Sequence, residues 1–382
     1  MADLWLGHLA TDLAQGALPA ILVFLKPTLH LSYTRTAAVV LASTMTSSIA
    51  QPLFGRWADR RVTAWLMPAG VALSGIGIAL AGLSHNYALL LVVVSISGIG
   101  VAAFHPEAMK LAGHASGVRR ASGMAVFQTG GNLGITLGPV AAGTGLAAIG
   151  SSGGLLLLIP AGLVASLLVR DFGSLVRVRH AGSERTRASS AVDQPRAFGL
   201  LLITTGFRSV AYYGLFTFVP LWEVSQGHSK SYGTGLLSLV LLSGAIGTLC
   251  SGTLADRFGQ KAMLVSSHIL SPPLLLVYVL AGGTVGAISV CLAGAVLVST
   301  FSVTTVLSQE YLPTKLAMAS GMSVGLAMGL GGIAAVLLGA IADAVDLRTA
   351  LLVTAVVPAL GGVFAFWLPG RRELRARPVL AD

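Results

Sequence analysis

A few side chains able to do chemistry stand inside stretches of this sequence that are otherwise apolar. Asp12 lies in a run from 4 to 25, with His8 four residues before it. Arg208 lies in a run from 197 to 222, with Tyr212 four residues after it. The segment "VAAFHPEAMK", 101–110, closes a long apolar run with His105, Pro106, Glu107 and Lys110. Gln128 and Asn132 are four apart and share one helix face. Asp12, His105 and Glu107 are candidates for taking up and releasing a proton, because an imidazole of reference pKa about 6.5 exchanges protons readily near neutrality. Arg208 offers a planar fork suited to an anion. Gln128, Asn132, Tyr212 and His8 are candidates for contact with a polar ligand, and His8 could also tune Asp12. Each has a structural alternative. Asp12 and Arg208 could form a fixed ion pair, His105 could be a neutral imidazole on a carbonyl, and Gln128 with Asn132 could join helices.

The missing chemistry is as informative. There is no Ser-His-Asp set, no metal-ligand spacing and no GxxxxGK[ST] loop, so neither an enzyme nor an ATP-driven machine is expected, and no cofactor or metal. Cys250 and Cys291 read as small residues of apolar runs.

The elements that must position these groups follow from composition. Of 382 residues, 54% are hydrophobic and 10% charged, against roughly 25% charged in soluble domains. The mean hydropathy is +0.83. Water cannot be the solvent of so apolar a chain. A spanning helix needs about 20 apolar residues. Twelve runs qualify, near 4–25, 36–57, 62–83, 86–112, 119–147, 153–170, 197–222, 232–254, 261–281, 284–311, 316–342 and 347–368. The 47 glycines suit close helix packing in lipid. With both termini placed in the cytoplasm, 19 of the 24 Lys and Arg residues fall in inside loops, and Lys26, Arg35, Lys230 and Arg348 outside. The positive-inside rule therefore accounts for the net charge of +10, and nucleic acid is not an expected partner.

The chain also repeats itself. "GRWADRR" at Gly55 and "GTLADRFGQK" at Gly252 are 197 apart, and "ASGM" at 121 and at 319 is 198 apart. The expected organisation is a six-span half over 1–170, a polar basic linker over 171–196, a second half over 197–370 and a cytoplasmic tail over 371–382. In the two turn motifs, Gly55, Asp59 and Arg60, and Gly252, Asp256 and Arg257, can form a latch: the carboxylates accept from helix N-termini or pair with an arginine. In the first copy Val62 stands where the second has Gly259. At helix rise, Asp12 lies roughly 12 Å and Arg208 roughly 15 Å into pseudo-equivalent spans, while His105 lies roughly 28 Å along its own, near the cytoplasmic mouth.

The loop "GTLADRFGQK" and the two six-span halves resemble the major facilitator superfamily. "GITLGPVAAG", with Gly134, Gly138 and Pro139, is similar to the Gly-Pro motif of the fifth span in drug–proton antiporters. There the kinked span packs on its partner in the other half, Pro139 removing a helix bond as Pro106 does in the fourth span. "GHLATDLAQGALPAIL", "AAFHPEA", "FQTGGNLGITLGP" and "FRSVAYYGLFTFVPL" resemble the fosmidomycin resistance protein family within that superfamily. The resemblance implies an all-α membrane protein with twelve transmembrane helices in two pseudo-symmetric bundles. It further implies a functional monomer of the bacterial inner membrane that exports small toxic compounds against proton entry, with the first and seventh spans facing a central cavity. Uptake of a small organic anion with protons is the alternative, and a membrane-embedded enzyme a remote one.

Overall fold

The structure, a computed structural model, describes residues 1–61, 63–115, 120–182, 193–312 and 316–370. In lipid every backbone N–H and C=O must be satisfied within its own segment, and the chain meets this with helices throughout. They are α1 (Ala2–Thr28), α2 (Tyr33–Arg60), α3 (Leu66–Ala81), α4 (Tyr87–Ala115), α5 (Arg120–Ile149), α6 (Leu158–Arg170), α7 (Phe172–Gly182), α8 (Pro195–Ser225), α9 (Lys230–Phe258), α10 (Gln260–Ala281), α11 (Gly283–Tyr311), α12 (Leu316–Ala344) and α13 (Leu347–Phe366). A 3-10 turn, Gly150–Leu157, joins α5 to α6. Nine described stretches are long and apolar enough to cross a bilayer, one of them covering both α5 and α6. The short α3 and the arginine-bearing α8 bring the spans to twelve. Large apolar side chains such as Ile49, Leu53, Leu163, Leu249 and Leu337 stand more than half exposed. A water-soluble surface does not carry so many; here they face lipid.

The described chain forms two compact units. One is Met1–Arg187 with Val219–Ser238; the other is Ala188–Phe218 with Leu239–Asp382. In the first, α1 is buried nearly all round, and glycines let α5 lie against it. A Cβ on Gly134 would strike the Leu9 carbonyl, and one on Gly138 would come within 2.6 Å of the backbone at Leu13, Gly16 and Ala17. Pro139 follows inside an unbroken α5. The resemblance led us to expect this glycine face on the other half. It packs instead on α1 of the same half, and only further along does Gly143 meet α9, at Thr234. In the same unit Lys230 Nζ sits 4.8 Å above the Phe24 ring.

The start of the linker is more ordered than its polarity suggests. Leu175 on α7 is buried in a cluster with Phe104, Leu111, Ala112 and Leu168, so α7 lies along the end of α4. The second unit has its own core of Phe198, Leu201, Leu264, Leu307 and Tyr311, and the Tyr311 hydroxyl donates to the Pro369 carbonyl at 3.0 Å. Turns are set by ordinary local chemistry. Gly259 takes φ +89 between α9 and α10, where a side chain would be strained. Asp346 caps α13 by accepting from the Thr349 amide at 2.6 Å, which holds its carboxyl below the usual carboxylate range.

Candidate functional site

The first unit gathers three ionisable side chains from two helices. His8 and Asp12 are one turn apart on α1, and His105 comes from α4. His8 Nε2 is 3.3 Å from Asp12 Oδ2, and His105 Nε2 is 3.3 Å from Asp12 Oδ1. His8 is 1% exposed at its side chain, and Asp12 and His105 are 12% exposed. The walls are aromatic: Phe127 stacks on the His8 ring at 4.2 Å, and the two imidazoles meet edge to face at 5.1 Å. Gly131 of α5 lies directly against the pair. A Cβ there would collide with His8 Nε2 and come within 2.6 Å of Asp12 Oδ2.

The meeting of His105 with Asp12 corrects the depth read from the sequence. Counting from the start of its run placed His105 near the mouth. However, α4 runs on to Ala115, ten residues past His105, and α1 begins at Ala2, ten residues before Asp12. The two therefore lie at one level. Pro106, whose ring lies 3.7 Å from where a Gly55 Cβ would stand, sits inside a continuous α4. Glu107 turns to a different neighbour: it is fully buried and accepts from Thr63 Oγ1 at 3.1 Å. Lys110 donates to the Ala58 carbonyl at 3.0 Å.

These three side chains also make up a donor set that a metal ion could accept, all their ligand atoms lying within 4.8 Å. The contacts, however, are two separate N–O lines, one to each oxygen of Asp12, rather than donors aimed at one point.

The second unit holds Arg208, the largest fully buried side chain among the described residues, at 1% exposure. Its guanidinium carbon lies over the Phe301 ring, 3.7 Å from the centroid. Among the described residues its Nε and Nη1 have no hydrogen-bond acceptor. Tyr212 packs edge-on against the same Phe301 at 5.2 Å and stacks on Phe216 at 6.0 Å. A cation–π contact offsets part of the cost of burying the charge, but not its lost hydrogen bonds. Nε and Nη1 are left able to donate to the oxygens of an anion.

The other predicted residues fall as follows. On α5, Gln128 is exposed and Asn132 half-buried. Arg257 is exposed, its guanidinium 5.3 Å from the Phe258 ring. The side chains of Asp59, Arg60 and Asp256, and the surroundings of Gly252, lie outside the described residues. Sequence reasoning missed Phe301, the seat of Arg208, and Gly131, which lies against the acidic site. It also missed His268, whose Nδ1 and Nε2 lie 2.8 Å and 3.3 Å from the Leu264 and Thr204 carbonyls. Gly131 was within reach: "TGGN" puts a glycine three residues after Gln128 on the helix that the repeat singles out.

The helical architecture, the lipid-facing surface and the buried polar sites define a membrane transport protein. The Major Facilitator Superfamily profile matches residues 4–335. The chain is 32% identical over 382 residues to an uncharacterized MFS-type transporter of Bacillus subtilis (strain 168), YfnC, covering 96% of this chain and 92% of that one. It is 29% identical over 376 residues to the fosmidomycin resistance protein of Escherichia coli (strain K12), with the same coverage of each. Among solved structures, a bacterial homolog of the human lysosomal transporter Spinster, inward-facing and occupied, superposes with TM-score 0.77 at 17% identity, covering 100% of this chain and 98% of that one. The nucleoside transporter NupG gives 0.77 at 13% identity, covering 96% and 99%. The chain belongs to the Major Facilitator Superfamily: it is a multi-pass membrane transporter with the twelve-helix fold, and not an enzyme.

Proposed function

We propose that this transporter is a proton-coupled exporter of small, toxic, anionic compounds, working by alternating access of its two halves. The observation that carries the reading is the pair of ionisable sites held in apolar surroundings: Asp12 with His105 and His8 for protons, and Arg208 on Phe301 for an anion. A charge at bilayer depth is costly on insertion scales, so two such sites call for use. In this reading Tyr212, Gln128 and Asn132 serve as polar contacts for the cargo. The likeness to a protein named for fosmidomycin resistance supports export of a toxic compound. Asp256 and Arg257 with Gly252, and Gly55 with Asp59 and Arg60, act as the latch at the cytoplasmic ends, with both termini on that side.

The test is a resistance screen. Cells expressing the chain, or its Asp12→Asn variant, are challenged with fosmidomycin and a panel of toxic organic anions. Protection by the wild type against at least one compound, lost in Asp12→Asn at equal expression, is the expected result. Sensitisation rather than protection would favour uptake of an organic anion with protons, which uses the same two sites in the opposite sense.

A further inference from the structure

The geometry around Asp12 says more than that a proton binds there. His8 Nδ1 is 2.9 Å from the Phe127 carbonyl, and His105 Nδ1 is 2.8 Å from the Val101 carbonyl. A carbonyl oxygen only accepts, so both Nδ1 atoms carry hydrogen. In a neutral imidazole the other nitrogen is then bare. Both bare Nε2 atoms point at Asp12, each at a different oxygen, each at 3.3 Å. With the site empty of protons, two nitrogen lone pairs face two carboxylate lone pairs in surroundings that water barely reaches. Asp12 Oδ1 is buried and lacks a hydrogen-bond donor in this arrangement. Each line is repaired by one proton, and neither proton can serve both, because the two lines end on opposite oxygens of one carboxylate.

We infer that His8, Asp12 and His105 form a two-proton cage, and that His8 is a full proton-carrying member rather than a prop for Asp12. Loading takes two protons from solution, one onto each Nε2, and carries the site from a net charge of −1 to +1. The groups facing the cage from the packed elements support this count. From α4 come His105 and the Phe104 ring, from α5 the Phe127 carbonyl and ring and the bare backbone of Gly131, and α1 supplies the rest. Among the described residues no other histidine, cysteine or carboxylate joins this cluster. Gly131 has a specific part: the absence of its Cβ leaves room for the His8–Asp12 line. This inference rests on the proton-coupled reading above and adds the capacity and the residue that doubles it.

The experiment counts protons on the whole chain in zwitterionic lipid nanodiscs, titrated between about pH 9 and about pH 5 to bracket the histidine range. His8→Gln and His105→Gln are each expected to take up about one proton fewer per chain than wild type, and the double variant about two fewer. An unchanged count in His8→Gln would overturn the inference. Where that variant does not fold, nitrogen-15 imidazole spectra of the wild type decide. Both Nε2 signals are expected to move to the imidazolium position on acidification. A His8 signal that stays neutral while that of His105 moves would overturn the inference as well. These outcomes are separable from the failure of the broader reading: export shown to be proton-driven with His8 never protonated sinks the cage alone, whereas export indifferent to a pH gradient sinks the coupling itself.

Discussion

His105 of α4 and Asp12 of α1 meet at 3.3 Å, although they stand 93 positions apart in the chain and a count at helix rise placed them at different depths. That contact makes one site of the charged residue of the first span and the histidine of the "FHPEA" segment. It also separates His105 from Glu107, which is two residues on and faces Thr63.

Asp12→Asn keeps the shape of the carboxylate and removes its charge. Uphill export driven by a proton gradient is expected to fall to background, while downhill exchange of preloaded cargo continues. Both are read in proteoliposomes with and without an imposed gradient. Glu107→Gln, away from the cage, is expected to keep gradient-driven export; equal loss in the two variants would count against the separation of these sites.

Arg208 is held against its own electrostatics. Replacing a buried, poorly satisfied charge with an apolar side chain of similar reach is often neutral or stabilising by about 1–4 kcal/mol. Arg208→Met is therefore expected to raise the melting temperature in detergent and to abolish protection against anionic compounds. Arg208→Lys is expected to restore protection only in part, since a lysine ammonium lacks the planar fork. A melting temperature lowered by Arg208→Met would show the guanidinium to be a structural anchor.

The α1–α5 contact has no room. Gly138→Leu must push Leu13 and Ala17 backbone aside, at a cost of about 1–3 kcal/mol or more, and is expected to reduce folded yield sharply. Gly162, which has nothing within 4 Å of a Cβ, supplies the control: Gly162→Leu is expected to be silent. Equal losses from both would contradict the packing.

Topology is checked by single cysteines in a chain lacking Cys250 and Cys291. An impermeant thiol reagent applied to intact cells is expected to miss a cysteine at 177 or 257 and to label one at 230. Labelling at 177 with protection at 230 would invert the protein.

Much of this was legible because lipid narrows the choices. Twelve apolar runs become twelve helices, and a polar residue inside one is conspicuous by type alone, so Asp12, His105, Arg208 and Gln128 stood out. What the sequence hid is tertiary. Hydropathy blurs helix ends: the apolar run stops at 112 while α4 continues to Ala115, and a depth counted only from the outer end of that span overlooked the ten helical residues that follow His105. The Gly-Pro motif likewise marked α5 as rich in glycine, but not α1 as the helix those glycines meet. Phe301 carries no polar atom to betray that it seats an arginine 93 residues earlier in the chain. The amphipathic turn that buries Leu175 was masked by the basic residues around it.

The central claim, that cargo leaves in exchange for protons carried at Asp12, is most directly tested in inside-out membrane vesicles. The vesicle interior is acidified by respiration and followed with a quenched pH-sensitive dye. Adding fosmidomycin, or whichever compound the screen identifies, to the medium is expected to bring immediate dequenching, as protons leave the lumen and cargo enters. Vesicles bearing Asp12→Asn are expected to stay quenched. Deeper quenching in the wild type, or the same dequenching in Asp12→Asn, would contradict the account.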